Sequence, residues 1–149
     1  MRPEYAYGTE SGRLVNETDA LGQVKQYAYT ADDQIANIIY ANAVNPTAAV
    51  SLVYDTYYRR PTAMTDGIGT TTFGYKPVGA NGALQIASET GPLSTASISY
   101  GYDALGRPVS HTIAGSSPET YGYDALGRLG VMQMASEPSP MPIVARRRR

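Results

Sequence analysis

An all-β fold, an antiparallel array of β-hairpins forming one sheet, is what this sequence predicts, and three observations predict it. The octapeptide YGYDALGR begins at Tyr100 and again at Tyr121, a duplication that a repeated structural unit explains and a catalytic motif does not. Aromatic residues recur in pairs one residue apart: Tyr5/Tyr7, Tyr27/Tyr29, Tyr100/Tyr102 and Tyr121/Tyr123, with Leu52/Tyr54 and Phe73/Tyr75 as weaker versions. Asp and Gly recur three apart, at Asp19–Gly22, Asp66–Gly69, Asp103–Gly106 and Asp124–Gly127. Taking the second aromatic as anchor gives positions 7, 29, 54, 75, 102 and 123. The spacing is short and uneven, so loops of variable length separate about six copies.

One copy shows why each piece forms. In ISYGYDALGRPVSHT, Ile98, Tyr100 and Tyr102 alternate with Ser99 and Gly101. Period two gives a strand with one aromatic face and one face of small residues. Asp103 opens a turn because its carboxylate can accept nearby backbone N–H groups, and Gly106 supplies the positive φ that follows. Val109, His111 and Ile113 are the alternating residues expected on the returning strand. Asp103 and Asp124 directly follow an aromatic pair, whereas Asp19 and Asp66 precede the segments VKQYAY and TTTFGY. Turns therefore lie at both ends of the strands, as a meander requires. Asn81-Gly82 is a further hairpin signal. The segment ADDQIANIIYANA could place Ile35, Ile38 and Ile39 on one side of a helix, but it occupies the slot of a returning strand and is read as one. ANAVNPTAAV, SETGPLSTAS and AGSSPET read as loops. The organisation is a lead-in at 1–4, a repeat region at 5–130 and a Pro- and Arg-rich tail at 131–149 that lacks periodicity and is expected to be disordered.

Composition narrows the function. The chain has 149 residues, 13 Tyr, one Phe, no Trp, 15 Gly and 10 Pro. Tyr suits half-wet surfaces, since its ring is apolar and its tip polar. Without Cys, disulfides and thiolate metal sites are excluded. Net charge is −1, but setting aside Arg146–Arg149 leaves 8 basic against 13 acidic residues, a net of −5. A mildly acidic repeat region is not a nucleic-acid surface. No run is long and apolar enough to span a bilayer. MRPEYAYGTE has no apolar stretch of the signal-peptide kind and enters the first repeat almost at once, as though the chain began partway through something longer.

The candidate residues have structural roles in this reading. Tyr100, Tyr102, Tyr121 and Tyr123 stack across strands. Asp103 and Asp124 cap turns, with Gly106 and Gly127 at positive φ. Arg107 and Arg128 pair with a turn Asp or lie on a Tyr ring. Asp103 and Asp124 start turns in successive repeats, which is not the setting that holds a carboxyl at a catalytic pKa. Asp32-Asp33 has no ligand partner nearby in sequence. His111, the sole His, has no identifiable nucleophile or partner. No catalytic, cofactor-binding or metal residue is assigned, and the chain is not expected to be an enzyme. Arg146–Arg149 reads as a solvated tail.

The pattern Y-x-Y-D-x-x-G-R-L, and the phrases YDALGRP, YDALGRL and MTDGIGTTTFGY, resemble the YD repeat of bacterial Rhs proteins, of cocoon-forming components of ABC toxin complexes and of animal teneurins. The resemblance covers roughly residues 5–129. It implies a sheet strip that spirals into a hollow shell, which in bacterial members encloses a toxic C-terminal domain. It also implies secretion or cell-surface exposure, with the remaining repeats of a longer parent chain and an enclosed toxin domain as partners. No segment resembling the family's DPxGxxxG-like self-cleaving core occurs here. Copies one to four depart from the motif: Gly8, Thr30 and Lys76 replace the turn Asp, and Tyr58 stands where Gly belongs. Their hairpins are expected to be less regular. The function expected is a wall segment of a toxin-enclosing shell. The alternative is an extracellular adhesion or carbohydrate-binding module that uses the Tyr faces. Edge-to-edge self-association is expected, because a strip leaves two unpaired edges.

Overall fold

A computed structural model of the chain describes residues 2–93 and 95–134. Among these residues there are twelve strands and no helix. They form six hairpins: β1 (Glu4–Tyr7) with β2 (Leu14–Thr18), β3 (Val24–Tyr29) with β4 (Ile35–Ala41), β5 (Val50–Tyr54) with β6 (Pro61–Thr65), β7 (Thr70–Tyr75) with β8 (Ile86–Thr90), β9 (Ser97–Tyr102) with β10 (Pro108–Ile113), and β11 (Glu119–Tyr123) with β12 (Leu129–Met134). Each strand pairs antiparallel with the next, so sheet order is chain order from β1 to β12. The segment with the ambiguous isoleucines is strand β4. No layer packs on the sheet, and no hydrophobic side chain among the described residues is fully buried. Stability therefore comes from neighbour-to-neighbour contacts along a quasi-one-dimensional array.

Every hairpin carries a β-bulge immediately beside its anchor aromatic, at Tyr7, Tyr29, Tyr54, Tyr75, Tyr102 and Tyr123. In the five-residue turns the bulge follows from the turn. At Asp103–Arg107 the Gly106 N–H donates to the Asp103 carbonyl (3.0 Å) and the Asp103 N–H to the Arg107 carbonyl (3.0 Å). Gly106 sits at φ 75° and Gly127 at φ 79°. A type I turn closed by a left-handed residue leaves the returning strand one residue longer than its partner. Gly106→Val is accordingly expected to lower stability by about 1–2 kcal/mol through left-handed strain. A denaturation midpoint unchanged by the substitution would contradict this.

Two readings are corrected. The repeat region does not stop at 130: β12 runs to Met134, with Val131 facing Gly122 and Gln133 facing Thr120. Pairing, not periodicity, makes this strand, because GVMQM shows no polar alternation. The remainder of the predicted tail, with Arg146–Arg149, lies outside the described residues. Val109 also does not share a face with His111. The bulge sets Pro108 against Tyr102 and His111 against Tyr100, while a Cβ on Gly101 would meet Val109 and Ser110 on the opposite face.

Irregularity follows the motif departures only in part. Copies one, three and four have longer connections: the Gly8 N–H reaches the Arg13 carbonyl, Asp55 reaches Arg60, and Lys76 reaches Gln85. Copy two keeps the five-residue turn. The Thr30 hydroxyl accepts the Gln34 N–H (3.1 Å) in place of a carboxylate, and Asp33 takes the left-handed position at φ 64°. Asp is among the few residues with a side chain that tolerate it.

Candidate functional site

The five ladders that join one hairpin to the next are thin, with only two or three residue pairs in each. A row of tyrosines reinforces them. The Tyr29 hydroxyl donates to the Leu14 carbonyl (2.8 Å), Tyr54 to Ile35 (2.8 Å), Tyr75 to Pro61 (2.6 Å), Tyr102 to Ile86 (2.8 Å) and Tyr123 to Pro108 (2.8 Å). Each acceptor is the first residue of a returning strand and faces the preceding repeat's own anchor across the bulge. The anchor of one repeat is thus hydrogen-bonded to the bulge carbonyl of the repeat before it. Such a bond gives the bulge carbonyl a partner at a half-buried seam.

The turn arginines tighten the same seam. Asp103 Oδ1 accepts the N–H groups of Leu105 and Arg107 (both 2.9 Å), and its Oδ2 accepts Arg107 Nε at 2.7 Å. Asp124 repeats this with Leu126 and Arg128. The backbone N–H of Arg107, followed by its guanidinium, holds the Asp103 carboxyl below the usual range against the opposing effect of burial. The backbone N–H and then the side chain of Arg128 do the same for Asp124. The Arg107 guanidinium lies over the Tyr123 ring at 4.4 Å, Arg60 over Tyr75 at 3.9 Å and Arg13 over Tyr29 at 5.5 Å. In these three seams the arginine of one repeat covers the anchor of the next, a cation–π contact.

The first aromatic of each pair forms a second row. Tyr27 donates to Glu17 (3.0 Å), Tyr100 to Glu89 (2.8 Å) and Tyr121 to Glu119 (3.0 Å). His111, which sequence leaves without a partner, has one. Its Nδ1 lies 3.2 Å from Glu119 Oε2, and its ring stacks on Tyr100 with centroids 5.9 Å apart. The β10–β11 register creates this contact, and nothing in the local sequence announces it. The Tyr121 hydroxyl shares the same Glu119 oxygen, and among the described residues no three His, Asp or Glu side chains converge to hold a metal ion. Asp33 pairs with Arg13, and the Asp32 carbonyl accepts Arg59 (2.6 Å).

The hydrogen bond to Glu89, with burial second, pushes the pKa of the Tyr100 hydroxyl from its ordinary 10.0 up to about 12. A raised folded value means that the stability Tyr100 contributes is complete below pH 10 and is lost as pH rises toward 12. Tyr100→Phe should therefore flatten the alkaline fall in stability over that window. Identical slopes for the two proteins would refute the Tyr100–Glu89 bond.

Above β9–β12 the tyrosine face forms an open trough of about 540 Å³, lined by Ile86, Tyr100, Tyr102, Pro108, Ser110, His111, Tyr121, Tyr123 and Leu129. The anchor hydroxyls at Tyr102 and Tyr123 are already committed to carbonyls. What the arrangement does chemically is join repeats.

Residues 102–136 match the RHS Repeat family model. No curated protein matches the chain. The fold is similar to the crystal structure of TcdB2-TccC3-TEV, at 20% identity and TM-score 0.67 over 85% of this chain and 7% of that one. It is equally similar to the Photorhabdus luminescens Tc holotoxin pore, at 20% identity and TM-score 0.67 over 85% of this chain and 6% of that one. TcdB2-TccC3 without its hypervariable C-terminal region gives 21% and 0.64 over 80% of this chain and 6% of that one. The chain thus spans less than a tenth of the length of these structures. Residues 102–136 thus carry an RHS repeat, and the six bulged hairpins in one open sheet share the fold of these toxin structures.

Proposed function

We propose that the chain is a wall segment of a secreted shell of the Rhs type, and that its parent encloses a toxin domain. The observation that carries this reading is the single-layer sheet, in which each hairpin makes the same bond to the one before it. Such a seam has no intrinsic end, so length is added by adding repeats. The likeness to Tc toxin structures, of which this chain would be a small part, supports it. Its partners are then further repeats of the same parent and the enclosed domain. The role is mechanical, without catalysis. The carbohydrate-binding alternative is weaker, because the anchor hydroxyls that would contact a sugar are bound to backbone carbonyls.

The test is limited proteolysis of the complete parent reading frame. The wall reading expects further YD repeats around this segment and a downstream non-repeat domain that resists protease while the repeats are intact. A downstream domain digested as fast as free domain would contradict it. The purified chain is also expected to keep its mass on storage. Cleavage at one reproducible bond, abolished by a single Asp→Asn change, would overturn the non-catalytic assignment.

A further inference from the structure

A second regularity runs across the sheet beside the tyrosine seam, and it specifies what can pair with its open edge. In all five ladders between hairpins the register is the same. The second residue after the bonded carbonyl faces the third residue before the anchor tyrosine: Asn16 with Gln26, Asn37 with Ser51, Ala63 with Thr72, Ser88 with Ser99 and Ser110 with Thr120. One position further along, the returning strand places a side chain diagonally beside the first aromatic of the next repeat. The residue types at these two positions go together. Where the next repeat has Tyr, the partner is polar: Glu17 with Tyr27, Glu89 with Tyr100, and His111 with Tyr121, bridged by Glu119. Where it has Leu52 or Phe73, the partner is Ile38 or Met64. The physical reason is direct. A tyrosine hydroxyl held at a half-buried seam needs an acceptor, and an acceptor set against a hydroxyl-free ring loses its own partner.

Among the described residues, strand β12 is the last of the sheet and presents the same set of groups without a neighbour. No tyrosine reaches the Leu129 carbonyl among the described residues. Arg128 is 74% exposed, whereas Arg107, covering Tyr123, is 32% exposed. Met132 occupies the selecting position and is exposed. We infer that the β12 edge is a docking edge for an antiparallel strand of the form apolar-x-Tyr. Its tyrosine would bond the Leu129 carbonyl under Arg128, and its apolar residue would lie against Met132. Continuity with five seams of the same construction carries the inference. The chain's own β1 meets only half of this description. Tyr7 can supply the bond, but Tyr5 would set its hydroxyl against the Met132 side chain. A second copy is therefore a poor occupant of this edge.

The inference extends the wall reading, yet it can be tested with this chain alone. The conserved register would place Val131 against Glu4 of a second copy. Because the sequence has no Cys, Val131→Cys in one tagged copy and Glu4→Cys in another report that pairing as a disulfide. Each copy is made in two forms, with or without Met132→Glu in the first and with or without Tyr5→Phe in the second. Crosslinking should rise about fivefold to tenfold over the unmodified pair with either single change and fall back when both are present. Equal yields in all four combinations, changes that simply add, no crosslink in any combination, or highest yield for the unmodified pair would each overturn the rule. The wall reading would survive that failure, since it rests on the tyrosine seam and is tested on the parent.

Discussion

Tyr102→Ala is expected to lower the stability of the array by about 2–3 kcal/mol, near the low end for loss of a large aromatic because the ring is only half-buried. Two contacts disappear together: the bond from its hydroxyl to the Ile86 carbonyl and the packing of its ring on Gly82. Tyr102→Phe keeps the ring and removes only the bond, for an expected loss of about 1 kcal/mol. Chemical denaturation of the three proteins checks both figures. If Tyr102→Phe were as stable as the parent chain, the hydroxyl row would be incidental to the fold.

Gly82→Val is expected to be the most damaging single change in the connection between β7 and β8. Gly82 sits at φ 70°, so a β-branched residue there carries left-handed strain of about 1–2 kcal/mol. A Cβ would also run into the Tyr102 ring, with its nearest carbon atoms well inside contact distance. Overpacking of that kind adds about 1–3 kcal/mol. Because part of the penalty is the clash, the same substitution in a Tyr102→Ala background should cost measurably less. Strict additivity of the two changes would show that the loop does not rest on the ring.

The hairpins and their turns were legible because their causes are local. Asp103 and Gly106, three apart after an aromatic pair, specify a bulged turn by backbone chemistry alone, and Asp124 and Gly127 repeat it. The last strand was not legible. Residues 129–134 are mostly apolar without alternation, and they become a strand only because β11 offers a partner. The seam was half visible. The tyrosines, Asp103, Asp124 and the arginines stand out by repetition, and the Arg107–Asp103 and Arg128–Asp124 contacts lie within one turn. The acceptors do not stand out, because they are backbone carbonyls of Leu14, Ile35, Pro61, Ile86 and Pro108, which share no side-chain type. Glu119 as the partner of His111 also depends on register, which the sequence does not print. One signal was available: glutamate or histidine three residues into a returning strand whenever the next repeat begins its pair with Tyr, and Ile or Met when it begins with Leu or Phe.

Hydrogen exchange in the native state, compared between the parent chain and Tyr102→Phe, tests most directly the claim that each repeat is bonded to the one before it by its anchor tyrosine. In an array with nearest-neighbour coupling, loss of one bond weakens one seam and leaves distant ones intact. Faster exchange is expected in the β8–β9 ladder, at Ser88, Glu89 and Thr90 with Ser97, Ser99 and Ile98, with unchanged protection in β1 to β4. Uniform acceleration across all twelve strands, or none at the β8–β9 seam, would contradict it.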